Sequence, residues 1–181
     1  VSDAADASGT DSEDVPSTPT EPEVESLHGA PRSSSRGQDV LHPSREQLVD
    51  VVRALREDGY MQCVDLSVVD YLTHPGRPLP PGVEPCRFEV VVCLLDVDRK
   101  RRIRLRVQVP ADDPTCPSLF AIHPGTENPE REGYDLFGIR FEGHPGLTRI
   151  LMPDDWVGHP LRKDYSIGAI PVQFKGASNV R

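Results

Sequence analysis

The chain has 181 residues, enough for one domain of ordinary size plus an appendage. Its formal net charge is -9, but nine of the 29 acids and only two of the 20 bases fall in residues 1–40. The near-neutral body that remains has no broad electrostatic reason to bind nucleic acid or an anionic membrane.

Residues 1–43 contain no aromatic residue and are rich in Ser, Thr, Pro, Asp and Glu. Such a segment cannot bury enough apolar area to offset its ordering entropy, so a disordered acidic tail is predicted over 1–43. It lacks the basic-then-apolar pattern of a signal peptide, and no run in the chain approaches the roughly 18–20 apolar residues of a membrane span. A membrane role is therefore expected only through a partner. Ser44-Arg45-Glu46-Gln47 has the Ser-x-x-Gln form of a capping box. Leu48, Val51, Val52 and Leu55 follow at helical spacing and Gly59 supplies a stop, which predicts an amphipathic helix over about 45–58.

Tyr60 to Tyr71 is rich in β-formers and predicts a strand; His74 to Pro85, with five prolines, predicts a loop. Arg87 to Asp96 is nearly all apolar, as a strand covered on both faces would be. After a turn at Asp98-Arg99-Lys100, Arg101 to Val109 alternates, with Ile103, Leu105, Val107 and Val109 on one face and Arg102, Arg104, Arg106 and Gln108 on the other. An RNA-binding module using this arginine row is one reading, but no aromatic residues interleave to stack bases, and a solvated or partner-facing surface fits better. Pro110 to Pro117 breaks the sheet. Asn128 as N-cap, Pro129 at the first helical position and acids in the first turn then predict a helix ending at Gly138. These elements describe an α+β domain over 44–142, with a mostly antiparallel sheet and flanking helices.

From Gly143 onwards the pattern changes. Residues 143–181 carry a dozen large apolar side chains, among them Leu147, Ile150, Leu151, Trp156, Val157, Leu161 and Phe174, with no helical or strand period and with prolines interrupting them. Each is worth about 1.5–3 kcal/mol when fully buried, so leaving all of them in water is excluded. An extended arm laid across another protein and an arm wrapped over its own sheet both satisfy this, and the sequence favours neither. Five of the six histidines precede proline, which pushes them towards extended backbone. No pair of histidines has i, i+4 helical metal-ligand spacing, no Cys-x-x-Cys joins the four cysteines, and no P-loop or glycine-rich nucleotide fingerprint occurs. Cys63, Cys86, Cys93 and Cys116 are expected to be reduced, buried thiols. Neither a metal nor a cofactor is expected in this chain. A free-standing enzyme using His144, His159 and nearby acids is a further reading, with little support from the sequence.

At Glu130 to Tyr165 the sequence closely resembles the signature of the C subunit of proton-pumping NADH:quinone oxidoreductase, the 30-kDa-type subunit family of bacterial respiratory complex I. The residues that carry it are Glu130, Arg131 and Glu132, then Tyr134-Asp135-Leu136-Phe137-Gly138-Ile139, then His144 and Pro145, Arg149, and Gly158 to Tyr165 with His159, Pro160, Arg162, Lys163 and Asp164. The hairpin over 87–114 is also similar to the family, so the likeness spans about residues 45–165. His123 to Asn128 stands where members often carry aromatic residues, and Ser166 stands where proline is common. The resemblance implies a peripheral-arm subunit on the cytoplasmic face of the bacterial cell membrane, with no catalytic residue or cofactor of its own. FMN, the iron–sulfur clusters and the quinone site would lie in neighbouring subunits. This chain would pack chiefly on the quinone-site D subunit and the iron–sulfur subunits through residues 143–181, with Arg149, Arg162, Lys163 and Asp164 as charged anchors in that contact. Equivalent subunits of membrane-bound hydrogenases and deazaflavin-dependent dehydrogenases are similar, so the electron donor stays open.

Overall fold

A computed structural model describes residues 25–166. Two helices pack on one face of a six-stranded sheet. In chain order the strands of that sheet are Ser26–Leu27 (β1), Ala30–Ser35 (β2), Gln38–Leu41 (β3), Gln62–Asp70 (β4), Phe88–Asp96 (β5) and Arg101–Val109 (β6). Their spatial order is β1-β2-β3-β6-β5-β4, antiparallel throughout except for the parallel pair β3–β6. The α+β class with a mostly antiparallel sheet is therefore the observed one.

The start of the domain is a correction. Residues 26–41 belong to the sheet, not to the tail expected over 1–43; the rest of that tail, residues 1–24, lies outside the described residues. The two hairpins β1–β2 and β2–β3 are closed by two-residue turns, His28-Gly29 and Arg36-Gly37. All four turn residues have positive φ (51°, 78°, 53° and 75°), as turns whose twist matches that of the flanking strands require. The Ser-rich β2 has few apolar side chains because its outer face stays open, whereas Ala30, Val40 and Leu41 are buried.

Register places the core. Leu41, Leu105, Val92 and Leu66 form one transverse row across β3, β6, β5 and β4, with Val107, Val90 and Val68 in the next. Against these rows pack Leu48, Val51, Val52 and Leu55 of the first helix, α1 (Leu48–Glu57). The capping box forms as expected: the Ser44 N–H donates to Gln47 Oε1 at 3.1 Å and the Gln47 N–H to Ser44 Oγ at 3.3 Å. It fastens a turn that precedes the helix, so α1 starts three residues later than predicted. In β4 a bulge between Cys63 and Asp65 inserts Val64, which is turned out to solvent. The stretch 110–117, read as a break, contains a further strand, Thr115–Pro117 (β7), paired in parallel with Arg140–Glu142 (β8).

The second helix, α2, runs Glu127–Phe137 behind a 3₁₀ turn at Pro124–Thr126, so Asn128 is not its N-cap. The hydroxyl of Thr126 is spent on the Glu130 carboxylate at 2.8 Å instead of on a backbone cap. At the other end Gly138 takes the left-handed conformation expected of it (φ +74°). The helix also crosses β4 closely: a Cβ on Gly133 would lie 2.9 Å from Val68 and from Phe141. Among the described residues no helix is long and apolar enough to cross a membrane.

Candidate docking site

An α-helix leaves its last carbonyls without intrahelical partners. In α2 two are met locally, by the Gly138 N–H to the Tyr134 carbonyl (2.9 Å), the bond of a left-handed cap, and by the Ile139 N–H to the Gly133 carbonyl (3.3 Å). The other three are met by residues 149–162. His159 Nδ1 donates to the Asp135 carbonyl at 2.9 Å, the Leu161 N–H to that of Leu136 at 3.1 Å, and Arg162 Nε to that of Phe137 at 2.6 Å. The two arginines here, Arg149 and Arg162, also bring positive charge to the negative end of the helix dipole.

Asp135 is the centre of this arrangement. Its carboxylate is fully buried and has four donors: Arg149 on Oδ1 at 2.6 Å, and the backbone N–H groups of Ile150, Leu151 and Met152 on Oδ2 at 3.0, 2.8 and 2.8 Å. Burial alone would push this carboxyl up; the three N–H groups and the guanidinium outweigh it and hold the carboxyl down at about 2. Arg149 is in turn oriented by the carbonyls of Trp156 (3.0 Å) and Gly158 (3.1 Å). Arg131, one turn earlier on α2, holds the Thr148 carbonyl (3.2 Å) and the Arg149 carbonyl (2.8 Å). His144 Nε2 donates to the Glu127 carbonyl at 3.0 Å, while its Nδ1 accepts from Gly146 N–H at 3.0 Å; the His144-Pro145 turn is thus tied to the start of the helix.

Gly138 has a second reason to be glycine: a Cβ there would stand 2.6 Å from both Arg162 Nη2 and His159 Nε2. The guanidinium of Arg162 also lies 5.2 Å over the Phe88 ring. Farther along, the Lys163 N–H donates to Asp70 Oδ2 (2.9 Å), and Arg87 bridges the buried Asp70 (2.8 Å) and Asp164 (2.7 Å). Burial pushes the Asp70 carboxyl up, but Arg87 and the N–H groups of Lys163 and Leu72 hold it below the ordinary range. Asp70 and Arg87 carry no signal in the sequence; they become a pair only once β4 and β5 align.

The sequence-derived residues thus divide. Arg131, Asp135, Gly138, His144, Arg149, His159 and Arg162 converge on α2, with Pro145 and Pro160 at the turns. Glu130 lies on the same helix but serves the core, buried and accepting from Ser118 Oγ (2.5 Å), Leu119 N–H (2.8 Å) and Thr126. Glu132 is exposed, and Lys163 takes part through its backbone only. Arg149, Arg162 and Asp164 are engaged within the chain. The arm thus wraps on its own helix up to Ser166, but by its polar groups. Its large apolar side chains are not all covered: Leu151 is 59% exposed, Leu161 49% and Val157 86%. Ile167, Ile170, Val172 and Phe174 lie outside the described residues.

Chemically this is a clamp. Each oxygen of Asp135 is committed to at least one donor. Among the described residues there is no group of three or more His, Cys, Asp or Glu placed to hold a metal; the four cysteines are free thiols, but only Cys116 is buried, the other three being half-buried on strands or loops that leave one side open. The fold and the clamp define a small α+β domain whose turn-rich end is fixed from within and turns Leu151, Val157 and Leu161 outward among exposed charges.

The family described as respiratory-chain NADH dehydrogenase, 30 Kd subunit, matches residues 41–170, and the chain belongs to it. The C subunit of the NADH-quinone oxidoreductase from Salinispora tropica is 44% identical over 145 residues, covering 78% of this chain and 56% of that protein. Its counterpart from Mycolicibacterium gilvum is 48% identical, covering 78% and 60%. The chain therefore spans somewhat over half the length of these relatives. Among solved structures, the trypsin-resistant fragment of Nqo5 matches with a TM-score of 0.58 at 34% identity, over 66% of this chain and 90% of the fragment. A chain of the membrane-bound sulfane sulfur reductase, an archaeal respiratory membrane complex, shares the fold (TM-score 0.64, 21% identity, 84% and 90% covered).

Proposed function

We propose that this chain is a non-catalytic docking subunit of the peripheral arm of a proton-translocating NADH:quinone oxidoreductase, at the cytoplasmic face of the cell membrane. Residues 143–181 would seat against the quinone-site D subunit and help hold the iron–sulfur subunits in register. FMN, the iron–sulfur clusters and the quinone would be held by those neighbours. The observation that carries this reading is the division of labour within 143–166. Arg149, His159, Arg162 and the backbone of Ile150 to Met152 and of Lys163 tie that stretch to α2 and Asp70, while Leu151, Val157 and Leu161 face outward. A segment fastened from within that turns large apolar side chains outward, rimmed by Asp154, Asp155 and Lys163, presents a surface that favours covering.

The test is co-purification of the tagged full chain from solubilised membranes, with and without Val157→Asp and Leu161→Asp together. Both side chains are exposed, so thermal stability should stay within a degree or two of the parent, while recovery of companion chains falls at least about tenfold, or ~1.4 kcal/mol. Companion chains recovered in undiminished yield would refute the assignment of this surface. Companions of hydrogenase or deazaflavin-dehydrogenase type would replace the donor in the proposal.

A further inference from the structure

Both helices lie on one face of the sheet, and the other face carries an open groove of about 610 Å³. Serines 33–35 of β2 form one wall, Ser67 and Val69 of β4 line the other side, and Pro78 to Pro80 overhang it. On its floor Glu89 is buried but neutralised: Arg106 Nε holds Oε1 at 2.7 Å, Gln108 Nε2 holds Oε2 at 2.6 Å, and Arg77 approaches at 3.4 Å. Arg106 is thereby removed from the cationic row that the alternating strand suggested. Arg102 and Arg104 are not. Among the described residues neither meets a carboxylate, and the hydrogen bond formed by the Arg104 guanidinium is a long one to Gln38 Oε1 (3.4 Å). His42, 3% exposed, lines the same groove; its Nε2 contacts Ser33 Oγ at 2.9 Å and its Nδ1 has no partner among the described residues. Burial pushes this imidazole down to about 4, so it stays neutral and can donate one hydrogen bond without carrying charge.

An occupant of matching chemistry is covalently attached. Residues 1–24 hold seven acids (Asp3, Asp6, Asp11, Glu13, Asp14, Glu21 and Glu23) and no base. The described chain begins at Glu25, whose carbonyl accepts from the Arg32 N–H at 2.7 Å beside β2. Because β1 is antiparallel to β2, the chain direction at Glu25, followed backwards, points along β2 towards Ser35 and the serine wall of the groove. Crossing from β1 past β2 and β3 to Arg104 on β6 is a matter of about 15 Å at a strand spacing of about 4.8 Å, which about five extended residues span. We propose that the acidic N-terminal segment is the ligand of this groove, an intramolecular pseudo-ligand whose carboxylates meet Arg104 in the groove and Arg102 beyond its lining on the same face of β6. Tethering gives the contact an effective concentration in the millimolar range, so weak individual pairs suffice. A consequence is that the segment shields the arginine row from external polyanions.

The experiment compares the 181-residue chain with a variant of the same length in which the seven acids become Asn or Gln. At low ionic strength the amide resonances of Ser33, Ser34, Arg104 and Arg106 should differ between the two. The differences should vanish near about 0.5 M salt, where the screening length falls to about 4 Å. With Arg102→Ser and Arg104→Ser introduced into both chains, the differences at Ser33, Ser34 and Arg106 should disappear. Added poly(U) should shift the groove resonances of the neutralised chain more strongly than those of the parent chain. Identical groove resonances in the two chains at low salt, or equal responses to poly(U), would overturn the proposal.

Discussion

Replacing Asp135 by asparagine removes one charge from the clamp and almost no volume. In the unfolded chain an aspartate titrates near 3.9; in the fold this one is held at about 2. That difference makes the ionised carboxylate contribute about 2–3 kcal/mol to stability at neutral pH. The cost of Asp135→Asn should be at least of that order: Arg149 keeps the carbonyls of Asp135, Trp156 and Gly158 as acceptors, but the asparagine NH2 is a donor facing either Arg149 or the three backbone N–H groups. The pH dependence has a definite sign. A carboxyl with a depressed folded value contributes fully above its unfolded value and loses that contribution as pH falls through its folded one. The stability gap between parent and variant should therefore be flat from pH 7 to about 5, roughly halved near pH 3, and nearly closed below about pH 2. Urea unfolding of both proteins across this range, with unchanged m-values, reads the gap directly. A variant as stable as the parent at pH 7, or a gap that does not shrink on acidification, would refute the view that Asp135 is the ionised centre of the clamp.

Gly138→Ala should cost at least about 1 kcal/mol for the left-handed backbone alone, and more because His159 and Arg162 must move; hydrogen exchange should speed up selectively at Leu161, Arg162 and Lys163. Arg87→Ala strips the buried Asp70 of its cation and should destabilise by about 3–5 kcal/mol, measured by denaturant unfolding, with Arg87→Lys restoring only part because it cannot fork between Asp70 and Asp164.

Much of the frame was legible because its elements repeat with a period. Leu48, Val51, Val52 and Leu55 named the buried face of α1, and the alternation from Ile103 to Val109 named the core face of β6. The first three strands were not legible by that route, since a serine-rich edge strand with an open outer face has no apolar alternation to detect. Their signal was in the turns, His28-Gly29 and Arg36-Gly37, where a residue followed by glycine closes a two-residue hairpin. The start of α2 was misjudged at Asn128 because the Thr126 side chain, a plausible cap, is diverted to a buried carboxylate. At the site, the family resemblance singled out Asp135, Arg149, His159 and Arg162 as a set. It did not show that they bind one another: a helix end and a turn-rich stretch some twenty residues later meet only through tertiary structure. Asp70 and Arg87 were invisible for the same reason.

The last three carbonyls of α2 are capped from outside the helix, and the caps come from the very stretch that carries the exposed apolar side chains. Helix and stretch are therefore one cooperative unit, and neither can loosen without stranding polar groups of the other. Leu151, Val157 and Leu161 sit on a mould that sets as the polypeptide folds, so the ordering entropy of that stretch is spent before any encounter. Whatever lands there meets a finished relief, and the contact can be both small and selective.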